Sequence, residues 1–272
     1  MPRNIIITGG TDGIGLSVAK KLSNSQDKLI IIGRNIDKGN RAIDNLQNKN
    51  LLFLKCDLAE KSDIKNLVEK LSSLEKVDIL INNAGAIFDK REENDSGVEK
   101  TFALNHLSYF HLSLYLLNKL ENSQDGRIIN VASNAHKRYK LDIEDLENKN
   151  NYWGWKAYCR SKLLNIYFTY AFNKKLKTSV TCNSLHPGFV NSNFGNNNSN
   201  YLRHIINILK NMFAISCDKA AETPEYLANS EELKDKTGGY YIRYSRRKSS
   251  KASYDEEIAD IVWKKSMEYH LE

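Results

Sequence analysis

The sequence predicts an α/β fold: one doubly wound domain whose mostly parallel central sheet is flanked by helices. Three observations predict it. Short continuous apolar runs, such as Asn4-Ile5-Ile6-Ile7 and Leu29-Ile30-Ile31-Ile32, have the pattern of strands buried on both faces. Segments of helical periodicity alternate with these runs, as parallel strands joined by crossovers require. A glycine-rich turn, Thr8-Gly9-Gly10-Thr11-Asp12-Gly13-Ile14-Gly15, lies between the first strand and the first helix. The 272 residues fit a single domain over 1–272, and a hydrophobic content of 41% supplies its core.

In chain order, the first run ends in that turn, and a helical pattern follows through Val18, Ala19 and Leu22. Strand, glycine-rich turn and helix together form the setting in which a helix N-terminus receives a pyrophosphate. Gly9 permits the tight turn, Gly13 lets backbone approach the phosphates and Gly15 allows close helix–strand packing. The spacing is T-G-x-x-x-G-x-G rather than G-x-G-x-x-G. Leu29 to Gly33 is the second strand, ending at Arg34-Asn35, where an NAD enzyme would place an acid for the ribose 2′-hydroxyl. A guanidinium there grips a 2′-phosphate, so the cofactor expected is NADP(H) rather than NAD(H). Leu51 to Cys56 is the third strand, ending at Asp57-Leu58, with a carboxylate placed to meet an adenine amino group.

Ile64 to Leu74 reads as a helix and Val77 to Ile81 as the fourth strand, ending in Asn82-Asn83-Ala84-Gly85. Small residues there suit a backbone passing close to a ring or ribose. A long helical pattern runs from Val98 to Leu120 and holds Asn105 among apolar neighbours, either for function or to satisfy buried backbone groups. Arg127 to Ser133 is the fifth strand, with the Ser133 hydroxyl at its carboxyl end, the edge that carries ligands in open α/β sheets. Ser179 to Leu185 is the sixth, stopping at His186-Pro187-Gly188-Phe189-Val190. His186 stands open to two readings, a base or a structural group. An Asn/Ser/Gly loop, 191–200, precedes an amphipathic segment from Tyr201 to Phe213, which reads equally as a packed helix, a lid or a lipid-touching helix. Gly238 to Ile242 is a last strand, Arg243 to Lys251 a basic run read as a solvated loop or an anionic-lipid contact, and Asp255 to Tyr269 a closing helix.

The net charge of +7 admits an anionic partner: a phosphorylated cofactor, a membrane surface or nucleic acid. Basic residues are dispersed apart from 243–251 and match no nucleic-acid motif, so nucleic acid is not the expected partner. Four separated cysteines, with no C-x-x-C pair and no histidine at metal spacing, read as reduced thiols that bind no metal. Met1-Pro2-Arg3 leads almost directly into a strand, and no run of about 20 apolar residues follows. The expectation is a cytoplasmic, non-secreted protein, free or peripheral at a lipid surface, with homo-oligomer formation left open.

The chemistry is carried by Tyr158-Cys159-Arg160-Ser161-Lys162. A Tyr and a Lys four apart on a helix share a face. An ammonium so placed favours the phenolate and lowers a pKa that is about 10 when unperturbed. A phenol tuned in this way moves a proton on or off an alcohol oxygen.

These motifs in this order, T-G-x-x-x-G-I-G, N-N-A-G, mid-helix Asn105, strand-end Ser133, Y-x-x-x-K and Pro187-Gly188, resemble the short-chain dehydrogenase/reductase family over nearly the whole chain. Phe102 to Phe110, Tyr158 to Leu163 and His186 to Val190 are similar to its retinol-dehydrogenase-like branch, and the ends Thr8–Gly13 and Gly238–Tyr241 to its polyprenol dehydrogenase type. Ala132 departs from the branch, which commonly carries a second Ser there.

The resemblance implies a Rossmann domain, with a cofactor half over 1–90 and a catalytic half over 91–272 whose substrate loop and helix span about 191–214. It implies an NADP(H)-dependent oxidoreductase interconverting alcohol and carbonyl on a lipophilic substrate such as a retinoid or polyprenoid. Catalytic roles fall to Asn105, Ser133, Tyr158 and Lys162, with Lys162 on the nicotinamide ribose and Asn105 holding a water. The implied cofactor contacts are Gly9, Thr11, Asp12, Gly13, Ile14, Gly15, Arg34, Asn35, Asp57, Leu58, Asn83, Ala84, Gly85, Tyr158, Lys162, Pro187, Gly188, Val190 and Ser192. The competing reading is a non-catalytic NADP(H)-binding sensor or scaffold, which would be expected to lack one of the four catalytic residues.

Overall fold

A computed structural model describes residues 2–23, 26–189 and 215–271 of the chain. Eight strands form one sheet in the order β3-β2-β1-β4-β5-β6-β7-β8. They are β1 (Asn4–Thr8), β2 (Lys28–Gly33), β3 (Leu51–Lys55), β4 (Ile79–Asn82), β5 (Arg127–Val131), β6 (Thr181–His186), β7 (Tyr240–Ile242) and β8 (Ser245–Arg247). All neighbours pair in parallel except β7 and β8. The α/β doubly wound expectation is met.

Strand periodicity sorts the core into two layers. Ile6, Ile30, Ile32, Leu80 and Ile128 face one side and pack with Ile64 and Leu67 of α3 (Lys61–Lys70) and with Phe110 and Phe168. Ile5, Ile7, Leu29, Ile31, Ile81 and Ile129 face the other, against Val18 and Leu22 of α1 (Gly13–Leu22) and Ala42 of α2 (Ile36–Leu46). Because β1 pairs with both β2 and β4, successive strands run outward in opposite directions from it. Ligands of open α/β sheets bind in the crevice at that switch point, outside the carboxyl ends of the strands.

The long helical pattern expected from Val98 to Leu120 is broken. It runs as α4 (Lys100–Phe102), five residues of π-helix (Ala103–Leu107), α5 (Ser108–Tyr115) and α6 (Leu117–Glu121). A π-bulge inserts an extra residue into the turn and redirects side chains, often where they are used. Asn105 and His106 are the buried polar residues inside it.

Later come α7 (Gly154–Leu176), α8 (Cys217–Asn229) and α9 (Glu256–Leu271). The sequence reading had no element over α8, which carries Pro224 in its interior yet buries Ala221 and Leu227 against the α1 layer. It also read 243–251 as loop, whereas Ser245–Arg247 adds an exposed, charged edge strand, a composition that discourages edge-to-edge pairing. No helix among the described residues is long and apolar enough to cross a membrane. The segment expected to be a packed helix, lid or lipid contact, Tyr201 to Phe213, lies outside the described residues.

Candidate active site

The switch point is stapled by Thr8. Its hydroxyl accepts from the backbone amides of Asn83 (2.8 Å) and Ala84 (3.0 Å), and the Asn83 side chain donates back to the Thr8 carbonyl at 2.9 Å. Gly9 sits at φ 65°, and a Cβ on it would stand 2.9 Å from Asn83 Nδ2. A Cβ on Gly15 would stand 2.2 Å from the Gly9 carbonyl oxygen, so only glycine lets α1 approach the turn this closely. Asp12 caps α1 through the Gly13 amide (2.8 Å) and pairs with Lys38 at 2.5 Å. Thr11 packs on Gly33, and Ile14 joins the apolar layer under the turn.

Along the same edge, Arg34 is exposed and takes no partner among the described residues. Asn35 spends its side-chain oxygen on capping α2 through the Lys38 amide at 2.9 Å. One Asp57 oxygen accepts the Ala59 amide at 3.0 Å, and Leu58 buries its side chain in the core, which leaves its backbone for any contact. Gly188 lies at φ +102°, against Ile215, beside Pro187. Val190 and Ser192, expected as cofactor contacts, lie outside the described residues.

Asn105 of the π-helix and Lys162 of α7 meet at Gly85. A Cβ there would stand 3.2 Å from Asn105 Oδ1 and 3.4 Å from Lys162 Nζ. The Asn105 amide takes the Ala86 N–H on its oxygen at 2.9 Å, and its nitrogen donates to the Ala86 carbonyl (2.9 Å) and to Ser161 Oγ (3.0 Å). In this arrangement the Asn105 side chain braces the backbone that follows the N-N-A-G turn. Lys162 Nζ donates to the Val131 carbonyl at 2.9 Å and lies 5.7 Å from the centroid of the Tyr158 ring and 5.4 Å from that of Tyr109. Tyr109, absent from the expected site, donates its hydroxyl to the Ala84 carbonyl at 2.9 Å. Its signal was present: it follows Asn105 by four residues in a helical segment.

Ser133 lies two residues beyond β5, not within it, and caps a short 3-10 turn, Asn134–Lys137. Its hydroxyl accepts the Ala135 amide at 3.1 Å and hydrogen-bonds the Tyr158 phenol. The expectation that Lys162 lowers the phenol pKa is corrected. Burial pushes Tyr158 up, with the Ser133 hydroxyl as the counteracting group. The lysine is itself pushed down to about 7 by burial, so near neutral pH it is only partly charged.

For His186 the geometry favours the structural of its two readings. Its Nδ1 accepts the Asn134 amide at 3.3 Å, and burial pushes its pKa down to about 4. His136, unremarked in the sequence, is buried beside it, with Nδ1 2.5 Å from the Ser133 carbonyl and Nε2 accepting from the Ser250 amide at 3.0 Å. A carbonyl only accepts, so Nδ1 carries the proton and the ring is neutral.

The arrangement offers a hydroxyl and a phenol side by side, a buried amine behind them and a glycine-lined crevice leading away. That set can donate two hydrogen bonds to one substrate oxygen and exchange a proton with it. The crevice also fits a dinucleotide. Gly9 and Gly15 let the turn and the start of α1 pack closely, α1 points its N-terminus at the turn, and Arg34 is exposed with no partner among the described residues, open to a phosphate.

The family profile described as short chain dehydrogenase matches residues 3–202. Human retinol dehydrogenase 13 is 32% identical over 275 residues, covering 97% of this chain and 83% of that protein. Human polyprenol dehydrogenase is 32% identical over 279 residues, covering 98% and 84%. Among solved structures, an uncharacterised protein of Mycobacterium paratuberculosis superposes with TM-score 0.80 at 24% identity, covering 98% of this chain and 93% of that one. The NADP active-site complex of Pseudomonas aeruginosa RhlG superposes with TM-score 0.69 at 22% identity, covering 92% and 96%. Below 25% identity, these two likenesses show the fold alone.

Proposed function

The chain belongs to the short-chain dehydrogenase family, and on that premise we propose that it is an NADP(H)-dependent oxidoreductase of lipophilic alcohols and carbonyls. The observation that carries the reading is the line from Ser133, bonded to Tyr158, through the Tyr158 ring 5.7 Å from Lys162 Nζ, to Lys162 and Asn105 side by side at Gly85. Lipophilic substrates are supported by the relatives' names, retinol and polyprenol dehydrogenases.

In this reading the turn from Gly9 to Gly15 and the start of α1 hold the pyrophosphate, and Arg34 holds the 2′-phosphate. The bound NADP(H) supplies or accepts the hydride. Ser133 and Tyr158 both donate to the substrate oxygen, where negative charge develops during reduction. Tyr158 then delivers its proton to that oxygen, the phenolate left behind keeps the Ser133 hydroxyl as its donor, and Lys162 would hold the nicotinamide ribose. Asn105 keeps the Ala86 backbone, and with it the floor of the site, in place. In the oxidation direction Tyr158 takes the proton back. The exposed basic hairpin through Arg246 and Arg247 suits a peripheral lipid-surface contact on the cytoplasmic side.

The test is oxidation of NADPH and of NADH by the purified protein with a panel of lipophilic aldehydes and ketones, run beside Tyr158→Phe. Turnover by the wild type and none by the variant is expected. Retained turnover in Tyr158→Phe would reject the assignment.

A further inference from the structure

Ser133 carries the hydroxyl that bonds Tyr158, yet it lies past the end of β5. A pair of histidines holds it there by acting on one peptide unit. The carbonyl of that unit, on Ser133, faces Nδ1 of His136 at 2.5 Å. Its N–H, on Asn134, donates to Nδ1 of His186 at 3.3 Å. On the other side of Ser133, the Ala132 amide donates to the Leu185 carbonyl at 2.9 Å. Two neighbouring residues of β6, Leu185 and His186, thus tie the chain before and after the Ser133 Cα.

The two rings meet that peptide as opposite tautomers. A carbonyl only accepts, so His136 carries its proton on Nδ1. An amide N–H only donates, so His186 leaves Nδ1 bare and carries its proton on Nε2. His136 is itself fixed: it is 1% exposed, and its Nε2 accepts the Ser250 amide at 3.0 Å. Tyr240 of β7 meets the His136 ring edge-on, with centroids 5.1 Å apart and planes at 70°. The Tyr240 hydroxyl donates to the Asn134 side-chain oxygen at 2.9 Å. One partner of any kind would satisfy either backbone group; a ring on each edge of the same peptide also fixes the direction of its plane.

Resting on the carbonyl–alcohol reading above, we infer that His136 and His186 are positioning residues for that reaction, clamping the Ser133–Asn134 peptide so that the Ser133 hydroxyl meets the substrate oxygen. Their effect passes through the Ser133 backbone. A hydroxyl that stabilises charge developing on oxygen must be held to within about 0.5 Å, and a misplacement of about 1 Å costs on the order of 100-fold in rate.

The experiment uses the full chain with NADPH and decanal. Asparagine places its amide group near the Nδ1 position of histidine, and glutamine places its own near the Nε2 position. His186→Asn should therefore retain most of kcat. His186→Gln is expected to lower kcat by roughly 10–100-fold with KM for both substrates unchanged. His136→Phe, which keeps a ring but neither nitrogen, should lower kcat in the same way. Equal kcat in His186→Asn and His186→Gln, whether retained or lost, overturns the clamp, as does a change confined to KM. With Tyr158→Phe inactive, the enzyme reading stands in either case.

A second readout does not depend on turnover. The Ala135 amide donates to the Ser133 hydroxyl at 3.1 Å, so its hydrogen exchange reports whether that hydroxyl keeps its place. Exchange at Ala135 is expected to be ~10-fold faster in His186→Gln than in His186→Asn. Equal rates overturn the inference even if the protein reduces no carbonyl.

Discussion

His136 holds the Ser133 carbonyl through Nδ1 at 2.5 Å while its Nε2 accepts the Ser250 amide at 3.0 Å. One buried ring thus ties the segment bearing the Ser133 hydroxyl to a turn 114 residues away.

Accepting the Ser250 amide requires the neutral ring, and burial pushes the His136 pKa down to about 4. His106 and His186 are likewise pushed down to about 4, and His111 to about 3, all chiefly by burial. The unfolded chain protonates these groups near 6.5, before the folded chain does. The stability they contribute is therefore complete above 6.5 and is lost as pH falls toward 4, each group by up to about 1.4 kcal/mol per pH unit. Urea midpoints measured from pH 7.5 to 4.5 should fall steeply below 6.5, and less steeply in His136→Asn. A flat profile would contradict the neutral buried histidines.

Lys162 carries the opposite conflict of stability and use. Its depressed pKa means that the folded protein penalises the charged form, so stability attributable to it rises with pH from about 7 to the unfolded value. Lys162→Met should raise stability at pH 7 by about 1–3 kcal/mol while abolishing turnover. The Val131 carbonyl keeps the Tyr109 hydroxyl at 3.5 Å as a remaining partner. Thermal melts beside activity assays decide it, and a lower Tm would count against the buried-charge penalty.

Arg34 is exposed and makes no contact among the described residues, so its replacement should leave the fold intact. Arg34→Asp is expected to cut kcat/KM for NADPH by roughly 10–100-fold and to narrow the gap to NADH, as loss of a charge-assisted phosphate contact requires. Steady-state kinetics with both cofactors would show an unchanged preference if the 2′-phosphate were bound elsewhere.

Gly15→Ala places a Cβ 2.2 Å from the Gly9 carbonyl oxygen and 2.6 Å from Asn83 Nδ2. Backbone cannot give way as a flexible side chain can, so α1 must shift from the turn. A loss of about 2 kcal/mol in stability and weakened NADPH binding are expected, measured by denaturant unfolding and by cofactor fluorescence titration.

Much of the fold was legible because its signals are local. Apolar runs at Ile5–Ile7 and Leu29–Ile32 announced strands buried on both faces, and the Thr8–Gly15 turn announced the crevice beside them. Where the signal was mixed, the reading failed. Pro224 concealed α8, and the basic run concealed β8. The Val98–Leu120 pattern gave no hint of its π-turn, from which Asn105 bonds to Ala86 and Ser161, both outside the segment.

For the site, the sequence by itself determined the four-residue spacing of Tyr158 and Lys162, because a helix sets that geometry within one turn. It also determined which residue types are present for proton transfer. Only the tertiary structure decided what those residues feel. The Val131 carbonyl beneath Lys162, the Ser133 hydroxyl at the phenol and the burial that moves both pKa values come from β5, its following turn and packing around α7. A pKa depends on the solvent removed and the dipoles brought near, and both are supplied by segments whose approach no local pattern encodes.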